Sequence, residues 1–107
     1  MILINLFNLN ITTMSDTATL VGGWTDFKFE ISPDAAQVFE KATENWNGVE
    51  YTPMAVATQV VSGTNYCFLC KGVMVVPQQP QIAALVYIHE PNDGKAPFIT
   101  EIKQIKP

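Results

Sequence analysis

The segment Gln59-Val60-Val61-Ser62-Gly63-Thr64-Asn65-Tyr66 predicts a tight turn between two neighbouring strands, and the rest of the fold is built around it. Turns usually carry Asn, Asp, Pro or Gly, because these residues bond locally to the backbone or accept unusual backbone angles. Gly63 can supply a positive φ without steric cost, but Val60 and Val61 stand where polar residues are usual. Since valine is stiff at χ1, little rotamer entropy would be lost if a partner covered both side chains. The pattern indicates a hairpin suited to binding.

After Pro53 the sequence is rich in Val, Thr, Tyr, Phe and Ile and has no helical period. Turn signals divide it into four predicted strands, at residues 54–60, 64–76, 82–90 and 98–105. Short connections between consecutive strands imply antiparallel pairing.

One helix is predicted ahead of these strands. Ser32 can cap it, and Pro33 suits its first position. Gly48 is the predicted left-handed residue at its end. A helical stripe that should face the sheet comprises Ala35, Phe39, Ala42 and Trp46.

A first strand is predicted before the helix, because Phe27, Phe29 and Ile31 alternate with charged residues. The order β-α-β-β-β-β predicts an α+β fold, in which an antiparallel sheet of about five strands wraps around one helix. A chain of 107 residues suffices for one domain, which we place at residues 20–107. Residues 1–19 are expected to be a flexible leader, with Met14 an alternative start.

Composition excludes some classes of partner. The net charge is −4, with six lysines and no arginine, which disfavours nucleic-acid binding. The first thirteen residues lack the positive charge of a secretory signal and are too short to span a membrane. We therefore expect a cytoplasmic protein without a membrane partner, with release by an unconventional route as the alternative.

Cys67 and Cys70 have the spacing of a redox or zinc motif. Positions three apart on a strand face opposite sides, so these thiols should not bridge, and with His89 they supply only three of the four ligands of structural zinc. We expect two buried thiols, a surface His89, no cofactor, no metal and no catalytic residue. A small redox or metal protein is the alternative.

Three separate segments should meet at one end of the predicted sheet. They are Leu20-Val21-Gly22-Gly23, the hairpin at residues 59–63 and the loop at residues 91–97. The two loops share an end because the strands between them run out and back. Together the segments would form a wedge with an apolar edge.

These segments resemble the cystatins, protein inhibitors of papain-like cysteine proteases. Gln59-Val60-Val61-Ser62-Gly63 matches the family's Gln-x-Val-x-Gly motif, and Leu20-Val21-Gly22 is similar to its N-terminal arm. With no disulfide set, the chain looks most like the stefin branch. The resemblance implies reversible, tight-binding inhibition by steric occlusion of the active-site cleft. It places Leu20, Val21, Gly22, the residues of the hairpin motif, Pro91 and Asn92 against the enzyme.

The second loop departs from the family pattern. Pro91-Asn92 stands where secreted cystatins carry a Pro-Trp pair. An interaction module of the same fold that binds a non-protease partner is therefore an alternative function. The expected state is a monomer, with a domain-swapped dimer a further hypothesis because short strained hinges invite exchange.

Overall fold

A computed structural model describes residues 23–107 of the protein. The prediction of a leader at residues 1–19 lies outside this part of the chain. Within it, the elements are α1 Pro33–Thr43, β1 Val49–Val61, β2 Gly63–Met74, β3 Gln81–Glu90 and β4 Phe98–Ile105. The strands form one antiparallel sheet in the order β1-β2-β3-β4. The predicted α+β class, single helix and antiparallel meander are confirmed for residues 23–107.

The helix packs on one face of the sheet, and the core lies between them. Ala35, Val38 and Phe39 are its buried residues. The Phe39 and Phe68 rings meet edge to face, with centroids 4.9 Å apart. Burying aromatic surface in this way is a main source of folding energy for a small domain. The sheet contributes Val56, Phe68, Cys70, Val86 and Ile88 to the core.

The start of α1 is as predicted. Ser32 is the N-cap, and its Oγ accepts a hydrogen bond from the Ala35 backbone N–H at 3.2 Å. This bond satisfies one of the amide groups left unpaired at a helix N-terminus, and Pro33 occupies a position where no N–H is needed.

The predicted end of the helix is wrong. α1 ends at Thr43, and the Trp46 N–H donates to the Thr43 carbonyl in a closing turn. Residues 45–48 are poor helix formers, so the chain leaves the helix before the apolar stripe is complete. Trp46 is consequently 48% exposed and not part of the core. Gly48 does have a positive φ, of 97°, but in the loop before β1.

The predicted first strand is also wrong, which leaves four strands rather than about five within residues 23–107. The segment that precedes α1 touches the free edge of β1 through two isolated bridges, Trp24 with Gln59 and Lys28 with Val56. Three residues lie between the two bridges on the segment but only two on β1, so a regular ladder cannot continue between them. Phe29 is 75% exposed, against the half-buried position that its alternation predicts.

β1 starts at Val49, earlier than the predicted residue 54, and includes Pro53. Proline is tolerated there since β1 is an edge strand of the sheet and the pairing shifts between Pro53 and Ala55. β2 ends at Met74 rather than residue 76. The other strand bounds agree with prediction to within one residue.

Candidate functional site

The hairpin between β1 and β2 has the exposed apolar tip that its sequence predicts. Val61 pairs with Gly63 across Ser62, and Gly63 has the expected positive φ, of 97°. A left-handed glycine that closes a short loop matches the twist of the two strands. Val60 is 57% exposed and Val61 37% exposed.

The hairpin lies directly against the end of β3. Thr64 pairs with Glu90, the last residue of β3. A Cβ atom at Gly63 would lie 2.5 Å from the Glu90 carbonyl oxygen, so only glycine permits this approach. The hairpin and the β3–β4 loop therefore occupy the same end of the sheet, as predicted.

The β3–β4 loop, residues 91–97, has a polar tip. The Asp93 Oδ1 accepts a hydrogen bond from the Lys95 backbone N–H at 3.1 Å, and Gly94 has a φ of 86°. This local bonding is typical of a turn in contact with water. Pro91 is half-buried at the base and Asn92 is exposed. The loop offers less apolar surface than the hairpin.

The chain enters the described region at this same end. Leu20, Val21 and Gly22 lie outside the described residues, but the residues that follow them are placed. Trp24 bridges to Gln59, the first residue of the hairpin motif. Thr25 and Thr58 exchange two hydrogen bonds of 2.9 Å, one to the Thr58 carbonyl and one to the Thr25 hydroxyl. The segment that starts at Gly23 is thus hydrogen-bonded to β1 beside the hairpin.

A polar row lies just below the hairpin on the face away from the helix. The Asn65 Nδ2 donates to the Gln59 Oε1 at 2.8 Å, and the Asn65 Oδ1 lies 2.6 Å from the His89 Nδ1. Sequence reasoning assigned no role to Asn65 and placed His89 simply at the surface. The contact between Gln59 and Asn65 could be predicted from the sequence, because a turn at Ser62 places the two residues opposite each other on the same face.

The two thiols are buried on opposite faces of β2, as predicted. Cys70 belongs to the core under the helix, and burial raises its pKa to about 12. Cys67 borders a cavity of about 200 Å³ beside Trp24 and Tyr87 on the other face, and burial also raises its pKa. Because the thiolate is the reactive form of cysteine, burial of this kind lowers the reactivity of both thiols near neutral pH. Among residues 23–107, no three His, Cys, Asp or Glu side chains cluster to hold a metal.

A polar cleft separates α1 from the β3–β4 loop. Its volume is about 450 Å³, and its walls carry both acids and lysines. The Tyr66 hydroxyl donates to the Glu90 Oε1 at 3.2 Å inside it. Burial, followed by the Glu90 carboxylate, raises the Tyr66 pKa to about 12. The charged residues of the cleft are Asp34, Lys41, Glu90 and Lys95.

Within the described part of the chain, no helix has the length and apolar character needed to cross a membrane. Comparisons of the chain with models of protein families, with curated proteins and with solved structures found no match. Any statement of function therefore depends on the site and on the resemblance of its sequence motifs.

Proposed function

We propose that this protein is a reversible, tight-binding inhibitor of papain-like cysteine proteases with a cystatin-like fold. The single observation that supports the proposal most is the exposed pair Val60 and Val61 on a hairpin whose sequence resembles the cystatin motif. The β3–β4 loop and the segment that starts at Gly23 flank this hairpin at the same end of the sheet.

The proposed mechanism is steric occlusion without bond formation. Val60 and Val61 would enter the active-site cleft with Ser62 at the tip, while Gly63 and Gln59 hold the shape of the hairpin. Leu20, Val21 and Gly22 would lie along one side of the cleft, and Pro91 and Asn92 along the other. Because no covalent bond forms, dissociation would release both proteins unchanged.

Part of the energy of binding would come from the two valines. Full burial of a fully exposed valine side chain contributes about 1.5 kcal/mol or more, and Val60 and Val61, at 57% and 37% exposed, would gain the corresponding share of it. Both residues are held by strand pairing and are stiff at χ1, so little conformational entropy is lost when they are covered. A short, rigid apolar edge of this kind is typical of the central contacts of a protein interface.

A charge at the centre of the edge tests the assignment. The Val61→Asp variant should raise the inhibition constant for papain by about a hundredfold, because an unpaired carboxylate would be desolvated in the complex. Val75→Asp is the matched control, since Val75 is 63% exposed and follows β2 at the opposite end of the sheet. Equal inhibition by both variants and the wild type, at equal stability, would refute the role of the hairpin.

A second candidate is an interaction module of the same fold that binds a non-protease partner. The polar tip at Asp93 and Lys95 favours it, because charged side chains stand there in place of the apolar ones expected of a protease contact. Deletion of residues 1–22 separates the two functions. Inhibition that weakens after the deletion supports the inhibitor, whereas failure of the intact chain to inhibit any papain-like enzyme supports the module.

A further inference from the structure

One cross-strand row of residues connects the described parts of the proposed binding edge. Gln59, Asn65 and His89 are direct neighbours on β1, β2 and β3, joined by the hydrogen bonds of 2.8 and 2.6 Å. Trp24 pairs with Gln59 at one end, and Phe98 with His89 at the other. The row therefore runs from the entering segment, under the hairpin, to the residue that follows the β3–β4 loop.

The hydrogen bonds of this row have a defined direction. The Asn65 Nδ2 donates to Gln59, so the opposite end of the same amide, Oδ1, faces His89 as an acceptor. With the Asn65 Oδ1 as acceptor, we expect the His89 Nδ1 to carry the proton. This tautomer differs from the Nε2–H form that a free neutral histidine side chain prefers in water.

His89 also contacts the turn itself. Its Cε1 and Nε2 atoms lie 3.1 and 3.2 Å from the position that a Gly63 Cβ would take. On its other side the imidazole packs on the Phe98 ring, with centroids 5.7 Å apart. His89 is half-buried, like Asn65, so both lie behind the exposed valines rather than among them.

We infer that Asn65 and His89 are positioning residues that fix Gln59 and the adjacent turn in the orientation that the partner binds. The inference depends on the proposed inhibitory function. The mechanism is preorganisation of the hairpin. A hairpin that is already held in one orientation loses less conformational entropy when it binds. Neither side chain needs to touch the partner.

The tautomer can be measured without any partner. His89 is the only histidine of the chain, so its ring nitrogens give unambiguous signals in long-range ¹H–¹⁵N spectra. At about pH 9, the wild type should show the Nδ1–H form. The Asn65→Ala variant should revert toward the Nε2–H form. A wild-type ring with the Nε2–H form would overturn the inferred row.

Inhibition and amide exchange test the positioning role. His89→Ala and Asn65→Ala should each weaken papain inhibition about tenfold and speed hydrogen exchange in the hairpin, since each removes a hydrogen bond of the row. His89→Asn, which returns an N–H donor near the Nδ1 position, should restore inhibition to within about threefold of wild type. Gln81→Ala, at the far end of β3, is the matched control and should change neither property.

The outcomes separate this inference from the proposed function. If the wild type inhibits papain and the Asn65→Ala and His89→Ala variants inhibit equally well, the positioning role is wrong and the proposed function stands. If the wild type fails to inhibit, the proposed function is wrong, and hydrogen exchange in the hairpin alone tests whether Asn65 and His89 position it. Faster hairpin exchange in the variants then supports a positioning role, and unchanged exchange overturns it.

Discussion

Gly63 meets two separate constraints at one position. Its φ of 97° is costly for any residue with a Cβ atom, and the Glu90 carbonyl oxygen occupies the space that the Cβ would need. The same residue therefore shapes the hairpin and allows the end of β3 to approach it. The resemblance to a known motif marks this glycine, and the structure supplies its physical reason.

Substitution of Gly63 by Ala should lower the free energy of unfolding by about 2 kcal/mol or more, because backbone strain and the clash with Glu90 add. Gly94→Ala is the matched control. Gly94 also has a positive φ, of 86°, but nothing lies within 4 Å of its Cβ position, so only the strain of about 1 kcal/mol applies. Urea unfolding of both variants measures the difference. Equal losses would mean that the close approach carries no energy.

Among the elements, α1 is shorter than its local sequence pattern predicts. The spacing of Phe39, Ala42 and Trp46 is helical, but the Thr43 side chain already donates to the Phe39 carbonyl at 2.8 Å in the last turn. The chain turns away after it, and Trp46 remains half-exposed. The core under the helix is therefore smaller than the stripe predicts, and Phe39 is the largest buried side chain that α1 contributes to it.

This difference predicts unequal losses of stability. Phe39→Ala should lower the free energy of unfolding by about 3 kcal/mol or more, because Phe39 is 7% exposed and its removal leaves a cavity. Trp46→Ala should cost about 1 kcal/mol, since roughly half of its surface already faces water. Thermal or urea unfolding of the pair measures both. A loss at Trp46 as large as that at Phe39 would place the tryptophan in the core after all.

The order of elements after Ser32 could be predicted because several boundaries carry a local signal, such as the cap at Ser32 or the glycine in the hairpin. The first strand could not, since whether it pairs depends on its register with β1. Trp24 and Lys28 reach β1 with an extra residue between them, and no alternation within residues 27–31 reveals this.

The candidate site was predictable to the level of segments. Antiparallel order alone places the hairpin and the β3–β4 loop at one end, and the register of the turn pairs Gln59 with Asn65. The link from Asn65 to His89 depends on how β3 aligns with β2. That alignment is set by the loop at residues 75–80, whose conformation the sequence does not specify.

At the scale of the whole molecule, buried ionisable groups make the free energy of unfolding fall at alkaline pH. Cys70 and Tyr66 both have pKa values raised to about 12, from ordinary values of 9.0 and 10.0. The unfolded chain loses these protons first as pH rises, so the folded state binds more protons between about pH 9 and pH 12. The stability contributed by these groups is complete below pH 9 and is lost across this interval.

The free energy of unfolding should therefore be nearly constant from about pH 7 to 8.5 and fall steadily above pH 9. The Cys70→Ala variant should show a shallower fall, because one of the groups with a raised pKa is gone. Urea midpoints at a series of pH values measure both slopes. Parallel slopes for the variant and the wild type would contradict the raised pKa of Cys70.

The central claim concerns the sheet end that carries Val60 and Val61, and a titration of papain with the wild-type protein tests it most directly. We predict that activity falls linearly to near zero as one inhibitor molecule is added per active site. We also predict that activity returns on dilution, and that mass spectrometry of the recovered inhibitor finds the hairpin uncleaved. Full activity in the presence of an excess of the protein, or cleavage between Gln59 and Gly63, would contradict the account.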